Sequence, residues 1–250
     1  MIQKSDNKQD FLNTQRLYNH LFEDENHYGV KEYRHGWAGN FHRYRIKLLR
    51  NIFINTLKCQ KKTTILDIGS NISMFGEIFR PDECPEITAL DISTVVIEKA
   101  KKINPHIKFI VDNAQNPSLV GKWDILFAGE IIEHLPHPRE ALLKWNDLVK
   151  QGGYLVISTP NRHFSRKTQE HISLLAIKEM EKMLRQLDFR IVEIIGIDIF
   201  NPFLDHFLNK TVKYLPKISP ISDGIFQINM KLALRLPWLA RDIVYIARKY

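Results

Sequence analysis

Cysteine is scarce in this chain. The 250 residues hold two, Cys59 and Cys84, and neither stands in a CxxC or CxxxC spacing. That leaves no basis for a disulfide framework or a cysteine zinc site, and it fits a reducing, cytoplasmic location. Long apolar runs are missing too: no stretch of ~18 apolar residues occurs, so no membrane-spanning helix is expected. The opening residues, MIQKSDNKQDFLNTQ, are polar and mixed in sign, without the basic start and apolar stretch of a secretory leader. Internal repeats and low-complexity tracts are absent as well. Acidic residues are outnumbered, 28 against 36 Lys and Arg, giving a formal charge of +8. Such an excess suits an anionic partner, whether nucleic acid, a phosphorylated metabolite or a membrane surface; a merely solvated basic surface reads the same way.

What the chain does have is a change of period. The first ~60 residues read as helical, with a long basic amphipathic segment, NFHRYRIKLLRNIFINTLK. After Lys62 come short β-branched apolar runs at 63–68, 86–92, 107–112, 123–129 and 154–159, each the length of a strand buried on both faces. Helical patterns lie between them. In STVVIEKAKKIN, Val96, Ala100 and Ile103 share a face and Lys99, Lys101 and Lys102 favour its C-terminal end. In HPREALLKWNDLVKQGG, Pro138 suits a first helical position, Leu142, Trp145 and Val149 form a stripe, and Gly152 or Gly153 suits a left-handed stop. A further helix is expected over 173–187, with strands at 190–197 and 242–248. Alternating strands and helices predict an α/β fold, a doubly wound and mostly parallel sheet of seven strands. The segment between the last two strands is too long for a plain loop and is expected to be a helical insertion. The predicted organisation is a helical cap or lid over 1–60, a ligand-binding core over 61–200, a helical cap over substrate at 201–240, and the final core strand at 241–250.

The ligand-binding clue is ILDIGSNISMFGE, 65–77. A strand runs into a Gly-containing turn before a helix, an arrangement that brings backbone N–H groups close to a ligand. Asp91 ends the second strand, where an acid can accept hydrogen bonds from ribose hydroxyls. Asn71 and Ser73 stand where dinucleotide sites usually hold glycine, so a pyrophosphate is crowded there and NAD or FAD is disfavoured. Asn71 tolerates positive φ better than most residues. Asp67 as a turn-capping residue and Asp91 as a helix N-cap are the structural alternatives.

Taken together, LDIGSNISMFGE, ALDISTVVIEKAKK, FIVDNAQNPS and WDILFAGEIIEHLPHPREALLKWNDLVKQGGYLVISTPNR resemble the class I S-adenosylmethionine-dependent methyltransferases, nearest to the branch of the ubiquinone-biosynthesis O-methyltransferases, over about residues 60–200. The resemblance implies a Rossmann-like fold with helices on both faces and S-adenosylmethionine as cofactor, which carries no phosphate and asks less of glycine. It implies that Gly69, Ser70 and Asn71 line the methionine part, that Asp67 orients the turn and reaches the amino group, and that Asp91 holds the ribose. It further implies that Ile92 packs on the adenine, that Asn113 and Ala114 meet its edge, and that Gly129 and Glu130 face the methyl-donor end. Asn113 departs from the acid that the family often has.

GEIIEHLPHP sets Glu130, Glu133, His134 and His137 beside the expected donor. Carboxylates and imidazoles suit Mg²⁺ or another divalent cation, which binds vicinal oxygens and acidifies a hydroxyl. E-x-x-E-H resembles the pattern of the ubiquinone-pathway enzymes and of small-RNA 3′-terminal 2′-O-methyltransferases, both of which use a divalent ion there; Glu130, Glu133 and His134 are the candidate ligands. Without a metal, His134 is the candidate general base, with Glu133 beside it; loop capping by both is the structural reading. His171 is a further candidate ligand or a surface residue. The N/D-P-P-Y/F tetrapeptide of many amino-group methyltransferases is absent, which points to oxygen as the acceptor atom.

Residues 27–45 are rich in aromatic, His and Arg residues. They read as a lid over the cofactor, with Trp37 as a wall and His35 or His42 reaching the substrate, or as an ordinary helical preface. The late insertion carries Phe200, Phe203, Phe207, Tyr214, Phe226, Leu232, Leu234 and Trp238 among Lys and Arg. It suits a small-molecule, glycan or lipid-like acceptor, an anionic membrane surface, a homodimer interface, or single-stranded nucleic acid. The expected activity is methylation of a hydroxyl on a small molecule, sugar or lipid; an RNA 2′-O-methyltransferase with a divalent ion and a non-catalytic cofactor-binding module are the alternatives.

Overall fold

The computed structural model describes residues 2–23, 36–165, 170–199 and 219–250. Helices α1 (Ile2–Glu23) and α2 (Gly36–Asn51) precede the sheet, and a π-helical turn, Ile52–Thr56, closes α2. Then follow β1 (Thr64–Ile68), α3 (Phe75–Ile78), β2 (Glu86–Asp91), α4 (Thr94–Ile103), β3 (Lys108–Val111), β4 (Trp123–Gly129), α5 (Pro138–Leu148), β5 (Val149–Pro160), α6 (Ile177–Gln186), β6 (Phe189–Ile199), α7 (Ser219–Arg235) and β7 (Ala240–Lys249). The seven strands form one sheet in the order β3-β2-β1-β4-β5-β7-β6, with β7 antiparallel to both neighbours and the rest parallel. All seven expected strands are present.

Alternation along each strand feeds two cores. In β1, Ile65 joins Leu49, Phe53, Phe75 and Phe127 on one face, while Leu66 and Ile68 join Leu126, Trp145 and Leu184 on the other. On the first face an aromatic knot ties α2 to α3: Phe53 meets Phe75 edge-on at 4.9 Å and Phe127 at 5.8 Å. On the second, Trp145 is fully buried and its indole N–H donates to the Ala114 carbonyl at 2.8 Å, fastening α5 to the loop after β3. Each aromatic pair contributes about 0.5–1.5 kcal/mol beyond area burial, so the turns between these elements are firmly based.

Some local expectations change. α5 starts at Pro138 as expected but ends at Leu148, and the chain enters β5 directly. Gly152 does take positive φ (+76°), but within β5, where the register against β4 slips between Trp123 and Ile125. The left-handed residue therefore absorbs a bulge rather than stopping a helix. Ile103 is 57% exposed while Val96, Ile97 and Ala100 are buried, because α4 ends at that residue.

Of the segment read as a substrate cap, Phe200, Phe203, Phe207 and Tyr214 lie outside the described residues. Its described part, α7, buries Phe226, Asn229, Met230 and Ala233. Phe226 and Met230 pack in the same core as Ile195 and Ile197 of β6. Asn229 clips the edge by accepting from the Ile199 N–H at 2.6 Å and donating to its carbonyl at 3.2 Å. At the front, α1 packs on α4; residues 24–35, with His35, lie outside the described residues, as does the side chain of Trp37. No helix among the described residues is long and apolar enough to cross a membrane.

Candidate active site

Because β1 to β5 are parallel, their C-terminal ends and following loops share one edge of the sheet. The order reverses at β1, so the crevice there opens between the turn after β1 and the loop after β4. The two touch. A Cβ on Gly69 (φ +68°) would lie 2.5 Å from the Ile131 Cγ1, so neither a side chain nor an ordinary backbone conformation fits. Left-handed backbone continues at Asn71 (φ +50°) and Ser73 (φ +62°), and recurs at Glu130 (φ +54°) and Asp198 (φ +61°), all at this edge. Strain of this kind concentrates where function needs it.

Two buried acids hold the turn. Asp67 is 2% exposed and accepts a hydrogen bond from the Ser73 hydroxyl at 2.7 Å. Burial pushes its carboxyl up to about 7, against which the Ser73 bond works, with the Asp91 charge adding to the rise. Asp91 accepts from the Asn71 N–H at 3.0 Å and the Ser93 N–H at 2.9 Å, so its carboxylate faces the turn; burial raises its pKa. Ser70 is buried and its N–H donates to the Leu90 carbonyl. Ile92 is half-buried beside Asp91. Across the edge, Asn113 accepts from the Gln115 N–H at 2.8 Å, and Ala114 is buried under Trp145. All of these segments lie at the C-terminal ends of β1 to β4, as does half-buried Gly129.

The acidic–His cluster sorts differently from its sequence order. Glu133 is fully buried on the short helical turn after β4. Its Oε2 accepts from the Thr159 hydroxyl at 3.1 Å; its Oε1 has no hydrogen-bond partner and lies 3.9 Å from the His134 Nε2. Burial, then the nearby Glu130 charge, raises the Glu133 pKa well above the usual carboxylate range. The His134 Nδ1 bonds the Glu170 carbonyl at 3.0 Å, which makes Nδ1 the donor and leaves Nε2 as the acceptor. Burial, then His171, lowers the His134 pKa. The two imidazole rings are 5.0 Å apart, and the ligand atoms of Glu133, His134 and His171 lie within 4.8 Å of one another. Glu130 is outside that group: its Oε1 pairs with the Arg45 Nη2 at 2.7 Å. His137 is exposed at the start of α5, its backbone paired to Gln115. His42 pairs with Glu77 at 3.2 Å.

Three contributors escaped the sequence. Arg45 reaches from α2 to Glu130 and to the Ser158 hydroxyl, each at 2.7 Å. Its helix read as a basic amphipathic segment and residues 27–45 as a lid or a helical preface, and nothing in the period marked one arginine as turned inward. Asp242, at the start of β7, is raised to about 7 by burial and then by Glu130; only the antiparallel insertion of β7 brings a strand's beginning to this edge. Tyr18 of α1 has its phenol pKa raised by burial and then by the charges of Glu170, Asp91 and Glu133. α1 is seated by Gln15, which donates to the Ile92 carbonyl at 3.0 Å, and by Asn19, which accepts from the Ser93 hydroxyl at 2.7 Å.

A turn that excludes side chains, buried acids at β1 and β2, and an acidic–His cluster after β4 thus share one edge of a doubly wound sheet. The chain belongs to a methyltransferase family: residues 38–194 match a family model described as a methyltransferase domain. It is therefore an S-adenosylmethionine-dependent methyltransferase. It is 26% identical over 189 residues to the ubiquinone biosynthesis O-methyltransferase of Hydrogenovibrio crunogenus, covering 66% of this chain and 77% of that one. A phosphoethanolamine N-methyltransferase of Haemonchus contortus in complex with S-adenosyl-L-methionine shares the fold at TM-score 0.55 and 14% identity, over 82% of this chain and 52% of that one. The [4+2]-cyclase SpnF shares it at TM-score 0.60 and 14% identity, over 86% and 83%. The fold thus serves more than one chemistry, and the reaction has to be argued from the site.

Proposed function

We propose that this enzyme methylates a hydroxyl oxygen of a small acceptor and that Glu133, His134 and His171 hold a divalent cation such as Mg²⁺ beside the methyl donor. The observation that carries this is the Glu133 Oε1: a fully buried carboxylate oxygen without a hydrogen-bond partner, facing two imidazoles. Leaving such an oxygen unmatched costs about 1–3 kcal/mol or more, and a divalent cation that takes mixed carboxylate and imidazole ligands matches it. A bound cation there would lower the pKa of the acceptor hydroxyl. The relative from Hydrogenovibrio crunogenus, named an O-methyltransferase of ubiquinone biosynthesis, supports oxygen and a small acceptor over RNA.

When bound, S-adenosylmethionine brings a methyl group already activated by its sulfonium. The chain's own residues do the rest. Asp67 and the 69–71 turn would receive the amino-acid end; burial raises the Asp67 carboxyl to about 7, and the cofactor's ammonium beside it would favour the ionised form. Asp91 takes the ribose hydroxyls, and Ile92, Asn113 and Ala114 border the adenine. Gly129 and Glu130 face the donor end, with Arg45 fixing the Glu130 carboxylate. Thr159 and the Glu170 carbonyl orient Glu133 and His134. Alignment and removal of one proton are what such a transfer needs.

A second reading is favoured by one observation. Burial lowers the His134 pKa, so its Nε2 is neutral and able to take the proton without a cation. Mn²⁺ binding and turnover separate the two. The cation reading requires Mn²⁺ to bind the wild type, His171→Ala to weaken that binding at least about tenfold, and a chelator to abolish turnover. Unchanged turnover in the chelator, with loss in His134→Ala alone, would leave the base.

A further inference from the structure

Exposed large apolar side chains on the described surface are mostly isolated, which is ordinary. The exception is the stretch from Ile228 to Leu239, where Ile228 is 61% exposed, Leu232 44%, Leu234 42%, Trp238 58% and Leu239 40%. The inner stripe of α7 packs on β6, and among the described residues none buries this outer face. Lys231 and Arg235 are exposed among them, and the sequence from Gly224 to Leu239 contains no acidic residue. The location is also specific. Gly196 of β6 is approached by Ala233, Pro237 and Ala240, and Ala240 pairs with Ile199. The end of α7 and the turn Pro237–Leu239 thus reach the sheet edge that carries Glu130 and Asp242.

We propose that the outer face of α7 and the Pro237–Leu239 turn dock the enzyme on an anionic lipid surface, holding the acceptor side of the sheet near the bilayer. An apolar helix face with interleaved Lys and Arg and a tryptophan at its end matches the boundary between headgroups and acyl chains. Charge argues against a second copy of the chain as the occupant: a twofold contact through this face sets Lys231 and Arg235 near their own kind. The docking is peripheral, and it holds whatever the acceptor proves to be.

The test is sedimentation of the full chain with neutral vesicles of phosphatidylcholine alone and with anionic vesicles of phosphatidylcholine carrying about 30 mol% phosphatidylglycerol. Binding is expected to the mixed vesicles, to weaken as salt rises, and to be slight for the neutral ones. Lys231→Gln with Arg235→Gln should weaken it about 25-fold, roughly fivefold for each basic residue near the surface. Leu232→Ser with Trp238→Ser should weaken it comparably. Calorimetric affinity for S-adenosylhomocysteine should be unchanged in both double variants, which shows that they fold. No sedimentation with the mixed vesicles overturns the proposal. So does binding that neither variant alters, or self-association that Leu232→Ser with Trp238→Ser abolishes in a chain that ignores vesicles.

Discussion

Asp67→Asn should stabilise the cofactor-free protein at alkaline pH while destroying its grip on the cofactor. Asp67 is enclosed at the end of β1 with one side-chain donor, Ser73, at 2.7 Å. Its carboxyl is raised from 3.8 to about 7. Below 3.8 the group is protonated whether the chain is folded or not, and its contribution to stability is fully present. As pH climbs towards 7 the unfolded chain releases the proton first, and that contribution is lost. Some three units at ~1.36 kcal/mol each give a ceiling of about 4 kcal/mol. Relaxation and water entry around the ionised form reduce this to about 2 kcal/mol. An amide carries no such pH dependence and can still accept from Ser73. Urea unfolding of wild type and variant without ligand should therefore show the variant's advantage growing by about 1–2 kcal/mol between pH 5 and pH 8.5. S-adenosylhomocysteine should then raise the wild-type midpoint and leave the variant's in place. An equal gap at both pH values would refute the assignment of Asp67 as a strained, ionisable anchor.

Gly69→Ala meets Ile131 and a left-handed backbone, so it should cost about 1–2 kcal/mol from the backbone alone and abolish calorimetric binding of S-adenosylhomocysteine. The pH profile of kcat/KM should fall on the acid side with a midpoint below 6.5, because burial lowers the His134 pKa; His134→Asn should flatten that limb and reduce kcat by about 10²–10⁴. Asn19→Ala removes the side chain that seats α1 on Ser93, so initial rates should show a KM for S-adenosylmethionine raised several-fold with kcat little changed; an unchanged KM would place α1 outside the cofactor's cover.

Much of the fold was legible because it is written in short-range pattern. Continuous apolar runs of strand length need both faces buried, and both faces are buried; Pro138 starts a helix where local chemistry says it should, while the cap of α4 is Ser93 and not Asp91. The turn at Gly69 was legible for the same reason, since a glycine between a buried strand and a helix leaves few conformations. Gly152 misled because a left-handed glycine after a helical pattern serves a helix stop and a strand bulge equally, and pairing with β4 decides between them. The acidic–His cluster was half legible. Spacing placed Glu130, Glu133 and His134 together, but it carries no information on which way each side chain turns once the backbone leaves β4.

The sequence alone determined the class of fold, and through its family resemblance the cofactor, because strand-length apolar runs and the motifs between them are built from residues close together in the chain. Tertiary structure decided which side chains meet. It gave Glu130 to Arg45 from a helix 85 positions earlier by residue number, brought His171 to Glu133 and His134 from the far side of β5, and seated α1 on Ile92 and Ser93 through Gln15 and Asn19. Those meetings follow from how helices settle on the two faces of a finished sheet, and a contact made only by packing leaves no period or spacing in the sequence to read.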